Sequence, residues 1–281
     1  MMISLSRLLL LTVLAVSSQT PGDPDPGKQA LEEGDRLLEA GYPVLAIRQY
    51  NEALKVGVPA TTVHLRVAYA ECAAGNYEAA EQLVSKVLLA EPEHYEAMRL
   101  GARVRFWLGR YDTSWKWFRD YLAAVPADDA ARMDYALSLA WGRRFDDALQ
   151  ELLKLEKTET FRVEARFRRA EVLAWKEQYE EARKLVADLL GRKEIPVTLE
   201  SRCHVLLGKI LAWEEHFTQA DGEYRTALEL NPQNEEAWLA MGELQEWQGK
   251  IEEAKVSYAK AVQVAPKSKR AREALERLGR A

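Results

Sequence analysis

Histidine and cysteine are the side chains best suited to metal binding or nucleophilic catalysis, and this 281-residue chain has four of the first and two of the second. Neither type shows metal-ligand spacing, and the sequence contains no zinc-protease motif, nucleophile elbow, phosphate loop or dinucleotide fingerprint. The histidines follow no common spacing: His64, His94, His204 and His216. The sequence therefore predicts no enzymatic activity, no metal and no cofactor. A hydrolase whose catalytic groups escape these motifs is the alternative, and turnover lost with one histidine or carboxylate would reveal it.

Tryptophan is the residue type whose spacing is regular. Five tryptophans follow one another at intervals of 34, 34, 38 and 34 residues: Trp107, Trp141, Trp175, Trp213 and Trp247. Flat indole rings stack on sugar rings or hold apolar peptide side chains, so such a row is suited to binding rather than to catalysis.

A repeated unit positions these tryptophans. Each is followed by an aromatic or aliphatic residue four positions on and a small residue three positions later, and the register continues backward through Tyr77 and Ala80 to Pro43 and Ala46. Seven units fill most of residues 27–266. Proline ends six of them, as expected between helices: Pro59, Pro92, Pro126, Pro196, Pro232 and Pro266.

Each unit has the pattern of a helical hairpin, with one apolar stripe before a short break and a second stripe after it. The pattern resembles the tetratricopeptide repeat family, whose consensus is nearly complete in Trp238, Met241, Gly242, Gln245, Ala254, Tyr258 and Pro266. The resemblance implies an all-α superhelical solenoid of about seven hairpins. The repeats are expected near residues 27–60, 61–94, 95–128, 129–162, 163–200, 201–234 and 235–266. Four extra residues near 191–201 indicate a longer loop there.

Both ends of the chain differ from the repeats. Residues 1–20 carry Arg7, an apolar run and then small polar residues, which is typical of a secretory signal peptide, and a proline-rich linker occupies residues 21–27. An uncleaved membrane anchor is the alternative. Residues 267–281 present apolar residues at helical spacing and are expected to form a capping helix over the last repeat, with a nucleic-acid-binding arm as the alternative. These features predict a periplasmic or secreted protein without a stable membrane span after cleavage.

In a tetratricopeptide solenoid the first helices line a concave surface, which is the usual ligand site of the family. Positions four residues before the tryptophans share their helix face, and four of these positions are charged. The candidate site is therefore the five tryptophans together with Arg103, Glu171, Lys209 and Glu243. Two interpretations stay open, a half-exposed aromatic row that contacts a ligand and a set of rings that only pack between repeats.

A second aromatic group lies in the third repeat. Trp115 and Trp117 are additional to the repeat pattern around Phe118. They are expected either to fill space between helices or to form an outer docking patch.

The charge does not indicate a nucleic-acid partner, and a second resemblance suggests a different kind of partner. The chain has 39 basic and 44 acidic residues and a net charge of −5, without a long single-sign block, so a nucleic-acid partner is not indicated. The tryptophan-bearing repeats resemble periplasmic repeats of bacterial exopolysaccharide export proteins. We therefore expect an exported, non-enzymatic scaffold that binds a protein partner in cell-envelope assembly or export. Direct contact with a secreted polysaccharide is the alternative.

Overall fold

The computed structural model describes residues 25–192 and 194–279, and these residues form fifteen helices and no strand. The predicted signal peptide and most of the predicted linker lie outside them. The chain divides into two compact units, unit 1 with residues 1–151 and unit 2 with residues 152–281. Each unit is a row of helical hairpins, which confirms the predicted fold class.

Unit 1 contains three complete hairpins, a further first helix and most of the next helix. Its helices are α1 Pro26–Glu39, α2 Pro43–Lys55, α3 Ala60–Ala74, α4 Tyr77–Ala90, α5 Tyr95–Trp107, α6 Tyr111–Ala124, α7 Asp129–Trp141 and α8 Phe145–Leu155, which ends in unit 2. From α1 to α7, each helix packs against the next one along the chain.

Unit 2 contains three complete hairpins and one terminal helix. Its helices are α9 Arg162–Trp175, α10 Tyr179–Leu190, α11 Val197–Trp213, α12 Phe217–Leu230, α13 Glu235–Trp247, α14 Ile251–Val264 and α15 Lys269–Gly279. The terminal helix α15 buries Ala271 and Leu278 in one cluster with Leu239 and Tyr258 of the last hairpin, as expected of a cap. None of the helices in the described part of the chain is both long and apolar enough to cross a membrane.

The four extra residues near 191–201 do not simply lengthen a loop. Helix α11 has 17 residues, whereas α13, the first helix of the next repeat, has 13. The added residues therefore extend a helix as well as the connection before it.

A tight turn joins the two helices of every repeat, and one residue of this turn has a left-handed backbone. Glycine takes this position in four repeats: Gly41, Gly75, Gly109 and Gly249. Arg143, Glu177 and Glu215 take it in the other three, with φ between 62° and 64°. A side chain costs about 1 kcal/mol in this conformation, so these three repeats keep a charged residue where glycine would be more stable.

Close contact between the two helices of a hairpin depends on small residues in the first helix. Gly208 of α11 lies against the ring of Tyr224 of α12, and a Cβ at Gly208 would stand 2.4 Å from that ring. Gly34 and Tyr50 make the same contact, and so do Gly242 and Tyr258. The two helices of these hairpins therefore approach each other closely within the core.

Candidate functional site

The five periodic tryptophans have one structural position in common. Each is the last residue of the first helix of its repeat, at the end of α5, α7, α9, α11 or α13. Trp141, Trp213 and Trp247 are exposed by 52%, 39% and 55%, while Trp107 and Trp175 are half-buried. Three of the rings thus present apolar surface to solvent at helix ends.

Two of these indoles pack on an aromatic ring from the preceding repeat. Trp107 lies against Tyr77, with 5.1 Å between ring centroids, and Trp213 stacks on Tyr179 at 6.1 Å with 29° between the ring planes. Tyr77 and Tyr179 are the first residues of the second helices α4 and α10. One face of these rings therefore serves packing between repeats, and Trp213 still exposes more than a third of its surface.

The predicted charged residues share the tryptophan face, but each of them is paired within the protein. In unit 1, Arg103 lies 5.2 Å from the ring centroid of Trp107 and forms an ion pair with Asp134 of α7 at 3.1 Å. Burial raises the pKa of Asp134, and the positive charges of Arg103 and Arg99 only partly offset this effect. Arg103 therefore joins two successive first helices.

Unit 2 has the same type of connection between α11, α13 and α15. Lys209 pairs with Glu236, which also lies 3.4 Å from Arg270, and Glu243 accepts from Arg270 at 2.6 Å. Burial alone would raise the pKa of Glu236, but the positive charges of Lys209 and Arg270 hold it at about 2. Lys209 and Glu243 are thus held in a chain of ion pairs that crosses three helices.

Glu171 belongs to a further group on α9 and α11. It accepts from Arg168 at 2.8 Å, and Arg168 also donates to Glu164. Glu164 in turn accepts a hydrogen bond from each of the two terminal guanidinium nitrogens of Arg202, both at 2.9 Å. Arg103, Lys209 and Glu243 are therefore held in ion pairs between helices, and Glu171 is held in an ion pair within α9. The exposed indoles are the predicted site residues that face solvent.

Trp115 and Trp117 each lie against a glycine, one within α5 and one directly after α7. A Cβ at Gly101 would stand 2.2 Å from the ring of Trp117, and a Cβ at Gly142 would stand 2.2 Å from the ring of Trp115. Arg105 stacks 3.4 Å above the centroid of Trp117. These contacts favour the space-filling interpretation of the second aromatic group.

The geometry offers little for metal or thiol chemistry. No group of three or more histidine, cysteine or acidic side chains is placed to hold a metal ion within residues 25–192 and 194–279. Cys72 and Cys203 are free, and burial raises the pKa of each thiol to about 12. Both thiols are therefore protonated at neutral pH and poorly nucleophilic.

Sequence reasoning missed the ring that packs on Trp213 and two glutamates that lie close in sequence to these two rings. Tyr179 stacks on Trp213, and Glu177 and Glu215 occupy the left-handed turn positions two residues before Tyr179 and two residues after Trp213. The available signal was the repeat register itself, because an aligned turn position that holds glycine in four repeats holds glutamate in these two.

The fold and the helix-end surface define a protein built from helical-hairpin repeats, and comparison with known proteins gives the family. Two family models, both described as tetratricopeptide repeat, match residues 31–129, in two overlapping segments, and 213–278. Together they cover more than half of the chain, which therefore belongs to the tetratricopeptide repeat family. Members of this family are generally non-catalytic scaffolds.

Solved structures with the same fold are distant in sequence. A tetratricopeptide repeat protein from Parabacteroides merdae has a TM-score of 0.75 at 14% identity and covers 91% of this chain and 100% of its own. The C-terminal part of a repeat protein from Cytophaga hutchinsonii gives 0.57 at 13% identity, covering 87% and 99%. MamA from Desulfovibrio magneticus gives 0.55 at 18% identity, covering 60% and 96%. At these identities the likeness concerns the fold alone.

A mouse protein described as FK506-binding protein-like is similar in sequence over a limited region. It is 29% identical over 135 residues, which are 45% of this chain. The chain spans only 39% of the length of that relative.

Proposed function

We propose that this protein is a non-enzymatic scaffold that binds a protein partner through the tryptophans at the ends of its first helices. The exposure of Trp141, Trp213 and Trp247 carries the proposal. Large aromatic side chains are costly to leave in water and are enriched at the energetic centres of protein interfaces. The four charged residues predicted beside the tryptophans are already paired within the protein, so the indoles supply the contact surface of the predicted site. This refines the expected site, in which tryptophans and charges contact the partner together.

We also propose that the scaffold works outside the cytoplasm, in cell-envelope assembly or export. The proposal rests on the sequence of residues 1–20, which lie outside the described part of the chain. Fractionation of bacteria that produce the tagged full-length chain tests it. A mature, shortened form outside the cytoplasm is expected, and an unprocessed chain in the cytoplasm would contradict it.

A secreted polysaccharide is the second candidate ligand, because an indole with one exposed face can stack on a sugar ring. The exposed surface of Trp247 is the observation that favours it. Titration with oligosaccharides, followed by tryptophan fluorescence, separates the two candidates. A saturable change that disappears in Trp247→Ala supports the polysaccharide, and no change leaves the protein partner.

Photocrosslinking in cells tests the main proposal. A photoreactive amino acid at position 213 or 247 is expected to give a crosslinked protein product, whereas the same group at Val256 is the control. Val256 is 62% exposed on α14, a second helix, so it reports on random contacts. Equal crosslinking from all three positions, or none from positions 213 and 247, would exclude the helix ends as the partner surface.

A further inference from the structure

The arginines that stack on aromatic rings within this protein indicate the chemistry of its partner. In unit 1, arginines lie over several of them: Arg103 over Trp107, Arg105 over Trp117, Arg144 over Trp115 and Arg143 over Phe145, at 3.4–5.9 Å from the ring centroids. A guanidinium over an aromatic face is a favourable cation–π contact. These rings of unit 1 thus already have a cationic contact from an arginine of the same chain.

The exposed indoles of unit 2 have no such cover. No arginine of the described residues lies over Trp213 or Trp247, although both rings are more than a third exposed. The arginines of α9 and α11 that do stack in unit 2, Arg168 and Arg202, lie over the buried ring of Phe167.

Negative charge accompanies these uncovered indoles. Glu177 and Glu215 are exposed, and neither forms an ion pair with another described residue. Glu214, the neighbour of Glu215, is already paired with Arg183. Glu177 lies two residues before Tyr179, and Glu215 lies two residues after Trp213. These four residues, here named the indole site, combine a partly exposed indole with two exposed carboxylates that form no ion pair with a described residue.

We propose that the indole site binds an arginine-bearing segment of the protein partner, with a guanidinium over Trp213 and within reach of the flanking carboxylates. This inference rests on the proposed function, because it specifies the chemistry of the partner. Trp247 occupies the equivalent helix end one repeat later and provides a second ring for a segment with a second arginine. Charge complementarity favours this occupant, since an acidic segment would be repelled and an uncharged one would leave the carboxylates unused.

Nuclear magnetic resonance of indole N–H groups tests the inference on the mature chain. The probe is a synthetic peptide of alternating glycine and arginine, and a peptide of alternating glycine and glutamate is the reference. The arginine peptide is expected to shift the Trp213 resonance saturably, and the glutamate peptide is not. No saturable shift up to millimolar arginine peptide would overturn the inference, as would equal shifts from both peptides.

Matched charge variants separate a specific site from general attraction. Glu177→Gln combined with Glu215→Gln is expected to weaken binding of the arginine peptide by about four- to twenty-five-fold, from two exposed contacts of about two- to fivefold each. Glu159→Gln combined with Glu229→Gln changes the net charge equally, at exposed positions outside the indole site, and is expected to leave affinity within about twofold. If both double variants weakened peptide binding equally, the effect would be due to net charge alone, and the proposal of a specific site would be wrong.

The two proposals can fail separately. If the arginine peptide does not bind while crosslinking from position 213 still captures a protein, the scaffold function stands and the arginine inference is wrong. If the peptide binds as expected but positions 213 and 247 give no crosslink in cells, the proposed function fails although the site has the inferred chemistry.

Discussion

The contact between Gly208 and Tyr224 makes a sharp prediction about how the hairpins are packed. Gly208→Ala places a methyl group 2.4 Å from a tyrosine ring that is only 2% exposed. In an unconstrained helix, glycine to alanine stabilises by about 0.5–1 kcal/mol. Overpacking of a filled core costs about 1–3 kcal/mol. We therefore expect Gly208→Ala to lower the free energy of unfolding by about 1–2 kcal/mol.

A second substitution should reverse the sign of this effect. The repeats with alanine in place of Gly208 carry smaller or differently shaped residues in place of Tyr224, as in the aligned pair Ala68 and Val84. Tyr224→Val alone should destabilise by roughly 3 kcal/mol, because it leaves a cavity. In that background Gly208→Ala should stabilise by about 0.5–1 kcal/mol, so the two sites are coupled by roughly 1.5–3 kcal/mol.

Urea unfolding followed by far-ultraviolet circular dichroism measures all four members of this cycle. Gly222→Ala is the control, because Gly222 is an exposed glycine within α12 whose Cβ would meet nothing within 4 Å. It should stabilise by about 0.5–1 kcal/mol. The packing argument is refuted if Gly208→Ala stabilises as much as the control, or if the coupling lies within about 0.5 kcal/mol of zero.

Three further predictions follow from the turns, the ion pairs and the terminal helix. Glu177→Gly should raise stability by about 1 kcal/mol in urea unfolding while weakening the arginine peptide, because it relieves a left-handed glutamate and removes a carboxylate. Glu236→Gln should cost roughly 2–3 kcal/mol at pH 7 and little at pH 2. A pKa lowered to about 2 means that this stability is present above the unfolded pKa and is lost as the pH falls from about 5 to 2, which unfolding curves at several pH values would show. Removing residues 268–281 should expose the cluster around Tyr258 and cause fraying or concentration-dependent association, so an equally stable monomer in sedimentation and thermal melts would contradict the capping helix.

The repeat period predicted most of the fold, because a unit with two apolar stripes can bury them only as a hairpin against its neighbours. The five tryptophans mark the ends of five first helices to the residue. Small residues in the first helices mark where the second helix packs closely, since Gly34, Gly208 and Gly242 each contact a tyrosine ring. Helix α11 was less predictable, because an insertion of four residues can lengthen either a loop or a helix.

The candidate site was predicted less completely than the fold. The sequence shows which charged residues lie on the same helix face as the tryptophans, but it does not show which of them form ion pairs with each other. Arg103, Glu171, Lys209 and Glu243 were expected beside the tryptophans, and all four are in ion pairs. The sequence does contain a signal for these ion pairs, which is opposite charges 27 or 31 residues apart, as in Lys209 with Glu236 and Arg103 with Asp134. These spacings are one repeat of 34 residues shortened by about two helical turns or one helical turn. Residues at such spacings lie close together on successive first helices.

These ion pairs determine which surface is left for recognition. Lys209 and Glu236 are each about one quarter exposed and already satisfied, so a partner that used them would have to break contacts between repeats. A carboxylate at Glu215 and an indole at Trp213 can be used without that cost. If the proposed site is correct, stability and recognition depend on different charges within the same repeats. Added salt should consequently reduce the affinity for an arginine-bearing partner more strongly than it reduces the stability of the fold, because exposed charges are screened more than partly buried ones.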